Sequence, residues 1–308
     1  MKKLVAYIFA LLLVILPLAA CGAEHGAGET DKIKIVSAIF PSYDWVREIL
    51  GERSTAVDLE LLIDNGVDMH SYQPSAQDMI TISDCDMFIY VGGESDEWVQ
   101  DALSANENPD RIVIDLMQIL KDAERATEEE PDEHVWLSLK NAKVLCASIA
   151  DQLAQLDVDG AEIYASNLQT YIEKLDALDE QYRTTVENAA QKTIIFGDRF
   201  PFRYLFDDYG IECYAAFAGC SADAEVSFET VVSLAEKLDI LNLSAVLVSE
   251  TSDKTLAKAI VESSKAKDQK IFVLDSIQSV TADQVEQGIS YLSIMEENLA
   301  VLRSVLQK

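Results

Sequence analysis

The sequence predicts an α/β protein of two βα lobes with mostly parallel sheets, joined by one long strut helix. Short apolar runs alternate with helical patterns in both halves of the chain, which is typical of parallel sheets covered by helices. Between the halves, apolar residues recur at helical spacing from Tyr164 to Val186, and the period continues to about Ala190. A helix of about 30 residues is roughly 45 Å long, so we interpret it as a strut between the lobes.

The individual elements follow from apolar runs bounded by glycines and helix-capping serines. Ser75 and Ser227 each precede a helical pattern, as N-cap residues do, and Gly51 and Gly210 end two others. The predicted strands are 33–39, 57–63, 87–91, 112–114, 193–196, 245–248 and 270–274. The predicted helices are 43–50, 75–82, 97–103, 137–156, 159–190, 202–209, 227–238, 254–266 and 284–306.

The first residues of the chain are typical of an export signal. Two lysines precede an apolar run that contains Pro17, which is short for a membrane span and suits a secretory signal. Cys21 follows Leu-Ala-Ala, as in a bacterial lipoprotein box, so we expect residues 1–20 to be removed and Cys21 to carry a lipid. The protein is then extracytoplasmic and anchored to the bacterial cell membrane by that lipid.

These boundaries suggest a domain plan for the rest of the chain. Residues 21–32 are the lipidated cysteine and a small, polar tether. The N-terminal lobe is expected at 33–157, the connecting helix at 158–190 and the C-terminal lobe at 191–308.

The net charge of the chain limits the kinds of molecule that it is expected to bind. It has 54 acidic and 24 basic residues, for a formal net charge of −30. Such a charge argues against nucleic acid and against anionic membrane surfaces, and it raises the local concentration of cations. An acidic run at 122–133 could recruit cations weakly or could only keep an exposed loop in solution.

The cysteines leave two alternatives open. Cys213 and Cys220 are close in sequence and could form a short-loop disulfide in an oxidising compartment. They could also bind zinc, although their spacing is not that of a finger or ribbon. Cys85 and Cys146 lie in apolar patterns and are expected to be buried thiols.

Several groups that can bind a cation follow the predicted strands. His70 lies in the loop after strand 57–63, and His134 ends the acidic run at a helix entry. Asp198 and Asp275 follow strands of the second lobe. Asp275 could instead be a helix cap, and Asp198 could be the partner of Arg199 in a surface ion pair. Ligands bind beyond the carboxyl ends of such strands, so His70, His134, Asp198 and Asp275 are the predicted metal ligands in the cleft. Glu250 is the alternative ligand.

Five stretches together resemble the zinc/manganese solute-binding lipoproteins of ABC importers, particularly the zinc-uptake type. They are the loop 66–75 with His70, the motif 132–137 with His134, the long helix 159–178, the strand end 274–276 and the tail 291–299. The resemblance implies His70 and His134 as first-lobe ligands and Asp275 as a second-lobe ligand. The family places a His or Glu in the loop 196–204. This chain has neither there, and Asp198 is the nearest candidate.

The resemblance also implies the function. The protein is expected to capture a divalent transition metal, Zn²⁺ or alternatively Mn²⁺, as a transported ligand. It would deliver the metal, as a monomer, to an ABC transporter permease and its ATPase. Imidazoles with carboxylates suit both metals.

Two other classes of protein remain as alternatives. One is a metal-dependent hydrolase with Glu250 as its base, although the chain has no HExxH motif, nucleophile elbow or phosphate loop. The other is a lipoprotein that binds an organic solute or a host surface. We therefore expect a binding protein and not an enzyme.

Overall fold

The computed structural model describes residues 32–105, 108–123, 132–217 and 226–306. Ile33–Lys308 forms one compact unit. The predicted signal peptide, Cys21 and His25 lie outside the described residues, as do Cys220 and most of the acidic run. The predictions made for them, and the domain boundaries, stay predictions.

The first lobe is a parallel sheet flanked by helices, as predicted. Its strands are β1 (Ile33–Ser37), β2 (Val57–Leu61), β3 (Met87–Tyr90) and β4 (Ile112–Asp115). Its helices are α1 (Phe40–Leu50), α2 (Ala76–Asp84), α3 (Trp98–Ala105), α4 (Leu116–Asp122) and α5 (Leu139–Leu156). The strand order is β2-β1-β3-β4, so β1 lies inside the sheet and its carboxyl end is central.

The connecting helix α6 (Ala161–Glu187) has 27 residues and packs between the lobes. Its apolar row is the one the sequence pattern predicted, and it is buried at Tyr164, Tyr171, Leu175, Leu178, Tyr182 and Val186. Near its start, Asn167 donates a hydrogen bond to the carbonyl of Ile49 in α1. Near its end, the hydroxyl of Tyr182 donates to the carbonyl of Met295 in the C-terminal helix.

The second lobe repeats the architecture of the first. Its strands are β5 (Thr193–Phe196), β6 (Glu212–Ala215), β7 (Ala245–Ser249) and β8 (Lys270–Leu274). Its helices are α7 (Arg203–Tyr209), α8 (Phe228–Ile240), α9 (Thr255–Ser263), α10 (Ala282–Glu286) and α11 (Tyr291–Leu306). The strand order is β6-β5-β7-β8, and all pairs are parallel.

Local sequence signals explain most helix ends. The side chain of Ser75 accepts from the backbone of Asp78, and Asp78 accepts from the backbone of Ser75, which is a reciprocal capping box. Ser227 caps α8 by accepting from the backbone of Thr230. Gly210 ends α7 in the left-handed region, with φ 69°, which a residue without a side chain adopts at no steric cost.

The sequence pattern missed or misjudged three elements. The edge strand β6 and the short helix α4 were not predicted, because they have only four and seven residues and such short runs do not establish a period. The last helix was predicted as one piece from residue 284. It is two helices, interrupted at Gly288 with φ 86°.

The two lobes share one hydrophobic core. A single cluster of buried side chains includes Trp45 of the first lobe, Tyr182 of the connecting helix and Phe196 of the second lobe. A smaller cluster, with Ile195 and Val246, covers the other face of the second sheet. Among the described residues, no helix combines the length and apolarity needed to cross a membrane.

Two tyrosines of the connecting helix allow a matched test of its docking. Both are buried, but the hydroxyl of Tyr182 bonds Met295, whereas that of Tyr171 has no hydrogen-bond partner among the described residues. Tyr182→Phe should lower the free energy of unfolding by about 1 kcal/mol, because one buried bond is lost. Tyr171→Phe should leave it unchanged or raise it slightly. Urea denaturation of both variants checks this, and equal losses would contradict it.

Candidate metal centre

The two predicted histidine ligands meet at the end of the first lobe. His70 lies in a short 3₁₀ turn, Met69–Ser71, and His134 directly precedes another, Val135–Leu137. Their Nε2 atoms are 3.1 Å apart, and their ring centroids are 5.0 Å apart. His134 is buried, and the side chain of His70 is 17% exposed. Residues 64 positions apart in sequence are thus brought into contact.

The hydrogen bonds behind the rings fix which nitrogen of each ring carries the proton. Nδ1 of His134 lies 2.7 Å from a carboxylate oxygen of Asp132, which can only accept when ionised. Nδ1 of His70 lies 2.7 Å from Oγ of Ser95 and 3.3 Å from the carboxylate of Glu133. Ser95 donates its own hydroxyl proton to Glu133, so Nδ1 of His70 must be the donor to Ser95. In the neutral rings, both Nε2 atoms therefore carry lone pairs.

The motif 132–134 holds both histidines from behind. Asp132 orients His134, and Glu133 orients His70, directly and through Ser95. Arg203 of the second lobe lies 3.7 Å from the other oxygen of Asp132. A carboxylate on the far nitrogen is the usual support of a metal-binding imidazole, because it fixes the tautomer and raises the basicity of the ligand nitrogen.

The neighbouring groups in this network shift the pKa values of Glu133 and His70 in opposite directions. Burial raises the pKa of Glu133, but the hydrogen bonds from His70 and Ser95 outweigh burial and lower that pKa to about 2. Burial lowers the pKa of His70, but the bond to Glu133 and the charge of Asp68 outweigh it and raise that pKa above its ordinary value. The carboxylate behind His70 is therefore ionised at neutral pH.

The facing nitrogens match the spacing of two ligands on one metal ion. Zinc binds imidazole nitrogen at about 2.0–2.1 Å, and two ligands of a tetrahedral ion are then roughly 3.3 Å apart. The observed 3.1 Å is close to this spacing. Two lone pairs at this distance repel each other unless a cation or a proton lies between them, so the pair is suited to bind a cation.

The structure does not gather the predicted carboxylate ligands around these histidines. Among the described residues, no group of three or more His, Cys, Asp or Glu side chains is arranged to hold a metal. Asp198 follows β5 as predicted, and its carboxylate accepts from Oγ of Ser249 at 3.0 Å and from the backbone of Arg199 at 2.8 Å. The assignment of Asp198 and Asp275 as ligands stays a prediction.

Asp275 and Glu250 lie together at the ends of β8 and β7. Burial, with the nearby charge of Glu250, raises the pKa of Asp275 to about 7. One oxygen of Asp275 accepts from the backbone of Ile277 at 2.7 Å. Glu250 accepts from the backbone and hydroxyl of Ser276 at 2.8 and 2.7 Å and from Ser279 at 3.2 Å. Glu250 is thus occupied in supporting the loop after β8.

A cavity of 590 Å³ opens at the strand ends of the second lobe. Asp198, Glu250 and Ser276 line it, and Asp68 of the first lobe closes one side. Neither histidine is among its lining residues. A cavity therefore lies where the cleft was predicted, but the two histidines are not among the residues that line it.

The orienting groups are what sequence reasoning missed. Asp132 and Glu133 were noted as part of the acidic run and of the motif 132–137, but no contact with the rings was predicted for them, and Ser95 was not considered. Their position directly before His134 was the available signal, because a carboxylate within two residues can reach a ring nitrogen. Ser95 had no such signal, since only the fold brings the loop after β3 to His70.

The cysteines are free thiols where the structure describes them. Cys85 and Cys146 are buried, as predicted. Cys213 is a half-buried free thiol, and burial raises its pKa. Cys220, its predicted disulfide or zinc partner, lies outside the described residues.

Solved structures share this architecture and define the class of protein. The Zn(II)-bound ZnuA-like domain of Streptococcus pneumoniae AdcA aligns with a TM-score of 0.73 and 30% identity, covering 90% of this chain and 100% of the domain. The metal-dependent lipoprotein YcdH of Bacillus subtilis aligns with a TM-score of 0.76 and 27% identity, with the same coverage. The protein is therefore a two-lobed α/β binding protein of the ZnuA-like fold.

Sequence comparison gives the family. Residues 35–305 match the family described as zinc-uptake complex component A, periplasmic. The high-affinity zinc uptake system protein ZnuA of Bacillus subtilis is 27% identical over 316 residues, which cover 97% of each chain. The zinc-binding lipoprotein AdcA of Streptococcus pneumoniae serotype 4 is 31% identical over 322 residues, 98% of this chain but 61% of AdcA. The chain belongs to the zinc-uptake complex component A family, as the resemblance implied, and this is a family of binding proteins and not of enzymes.

A buried carboxyl beside the site gives a pH-dependent prediction. Asp96 accepts from the backbone of Val91 and Gly92 and so shapes the loop that carries Ser95. Burial raises its pKa from 3.8 to about 6. The folded state therefore binds the carboxyl proton of Asp96 more tightly than the unfolded chain does. The stability that this protonation contributes is lost as the pH rises from about 4 to about 6.

Asp96→Asn should remove this pH-dependent loss of stability, because the amide does not titrate. Between pH 4 and 7, the free energy of unfolding of the wild type should fall relative to the variant, by up to about 3 kcal/mol. Denaturant titrations across this pH range measure the difference, with Asp101→Asn at an exposed site of α3 as the control for loss of one charge. Parallel pH profiles of the wild type and Asp96→Asn would contradict the prediction.

Proposed function

We propose that this protein captures Zn²⁺ outside the cytoplasm and delivers it to the permease of an ABC importer. The carrying observation is the pair of Nε2 atoms, 3.1 Å apart, with both Nδ1 atoms held by acceptors. Two such nitrogens form half of a tetrahedral zinc site. The names of the relatives, zinc uptake protein and zinc-binding lipoprotein, support zinc as the transported ligand.

The second half of the site comes from the second lobe. We propose Asp275 and Asp198 as the remaining ligands, because each follows the carboxyl end of a second-lobe strand close to the first lobe: Asp198 lines a cavity with Asp68, and Ser276, next to Asp275, bonds Trp136. The burial of Asp275 supports its role, since a metal ion would compensate the carboxylate charge that burial disfavours. Glu250 is the weaker candidate, because it accepts three hydrogen bonds from Ser276 and Ser279 and so supports the loop of Asp275.

The two imidazoles of this donor set favour zinc over manganese, whereas its carboxylates suit both metals. Imidazole is a ligand that suits zinc and other later transition metals, whereas manganese prefers oxygen ligands. At equal availability, the affinity order also favours zinc. Capture requires neutral imidazoles, so binding releases any proton shared by the two rings.

The partners follow from this function. The proposed complex contains an ABC permease and its ATPase, and the protein acts as a monomer tethered by a lipid on Cys21. The acidic sequence suits delivery of a cation and argues against nucleic acid.

Loss of either histidine should abolish tight zinc binding. His70→Ala and His134→Ala each remove one ligand nitrogen, so the affinity should fall by more than the roughly 10–100-fold typical of a lost supporting group. Competition with a chromogenic chelator measures the affinity. His25→Ala, in the predicted tether, is the control and should bind as the wild type does.

The same titration distinguishes the second-lobe candidates. Asp275→Asn and Asp198→Asn should weaken binding as strongly as the histidine variants, and Glu250→Gln should weaken it less. Wild-type protein that takes up no zinc from the chelator would disprove the proposed function. A histidine variant with wild-type affinity would remove that residue from the site.

Removal of a supporting carboxylate should weaken zinc binding to a smaller degree. Glu133→Gln keeps the size of the side chain but loses the charge that holds Nδ1 of His70. We expect about 10–100-fold lower zinc affinity. Glu173→Gln, on the connecting helix, is the matched control. Equal affinity of Glu133→Gln and the wild type would show that Glu133 does not support the ligand.

A further inference from the structure

Trp136 lies between the metal-binding segments of the two lobes. It is fully buried, two residues after His134, and its ring centroid is 5.3 Å from that of His134. Its indole Nε1 donates a 2.9 Å hydrogen bond to the carbonyl of Ser276, the residue after Asp275. Its own carbonyl accepts a 2.6 Å hydrogen bond from the hydroxyl of Tyr291 in α11. One side chain therefore touches a first-lobe histidine and bonds the loop of the second-lobe aspartate.

The loop that Trp136 bonds is held in a conformation it would not adopt alone. Ile277 has φ 64°, in the left-handed region, which is unfavourable for a β-branched side chain. Such a conformation persists only where the surroundings impose it. On the second-lobe side, Asn298 bonds both the backbone N–H and the carbonyl of Asp275 at 2.8 Å, and Glu250 holds Ser276.

Trp136 supplies a first-lobe restraint on this turn. Its bond to Ser276 is buried, and Ser276 is itself only 1% exposed, so water cannot readily replace the lost donor. The neighbouring contacts between the lobes lie farther along the loop, where the backbone of Ala282 donates to the carbonyl of Asp64. Loss of the indole donor would therefore untie the turn next to Asp275 from the histidine segment, while Asn298, Glu250 and the distal contact still hold the loop.

We propose that Trp136 is a positioning residue that sets Asp275 in register with His134. Through one buried hydrogen bond, it ties the loop after β8 to the histidine segment of the first lobe. The bond thereby fixes the position of the Asp275 loop relative to the segment that carries His134. This inference rests on the proposed zinc function, because Asp275 acts here as a ligand.

A double-mutant cycle on zinc affinity tests the proposal. The four proteins are the wild type, Trp136→Phe, Asp275→Asn and the double variant, each titrated with Zn²⁺ against a chromogenic chelator. Trp136→Phe should weaken binding about 10-fold, within the range for supporting groups. The double variant should bind no more weakly than Asp275→Asn, because Trp136 acts through that aspartate. A purely structural role of Trp136 would instead make the two effects multiply.

Trp45→Phe is the matched control. Trp45 is also fully buried, but its Nε1 has no hydrogen-bond partner among the described residues. The same truncation there removes no bond and should leave zinc affinity unchanged. A tenfold loss in Trp45→Phe would attribute the effect to core packing and overturn the proposal.

Further outcomes are equally decisive. Wild-type affinity in Trp136→Phe or in Asp275→Asn, or multiplying losses in the cycle, would overturn this inference while leaving zinc capture intact. A wild-type protein without zinc affinity would overturn both. If Trp136→Phe shows no cooperative melting, Tyr291→Phe replaces it in the cycle, because it frees the other end of Trp136 and keeps the indole. Multiplying losses with Tyr291→Phe would then overturn the inference.

Discussion

The approach of two imidazole nitrogens to 3.1 Å is the constraint on which the rest of the site depends. Two neutral rings with lone pairs facing each other would separate if nothing held them. Here each ring is held from behind, by Asp132 on one side and by Ser95 and Glu133 on the other. The hydrogen bonds fix the tautomers, and the fixed tautomers leave both Nε2 lone pairs directed at the position of the proposed cation.

The supporting network explains why this segment reaches into both lobes. Asp132 approaches Arg203, Ser138 donates to Asp208 at 2.5 Å, and Trp136 bonds Ser276. Every one of these partners belongs to the second lobe. The histidine segment is therefore one place where the lobes are joined by polar contacts as well as by the common core. The connecting helix, bonded to α1 and α11, adds a second junction. A hinge opening would have to break bonds at both.

The acidic side chains of the second lobe have two different roles: Asp275 is a proposed zinc ligand, and Glu250 supports its loop. Glu250 looked in the sequence like an alternative ligand because it follows a buried strand. In the structure its two oxygens hold Ser276 and Ser279, and its charge raises the pKa of Asp275. Position after a strand therefore identifies candidate ligands, but only the hydrogen bonds tell which carboxylates are already engaged.

Local sequence determined the lobes, the connecting helix and the identity of the two histidines. The sequence signals for these features are short-range. They are the apolar period, the capping serines, and a histidine within the six-residue motif 132–137. The edge strand β6, the break at Gly288 and the role of Ser95 were decided by tertiary structure. The short edge strand β6 is stabilised by pairing with β5. Ser95 is 25 residues from His70 in sequence, and only the fold brings its loop to the ring. The sequence by itself gave the chemical groups, and the fold decided which of them face each other, because contact across two lobes leaves no period in the chain.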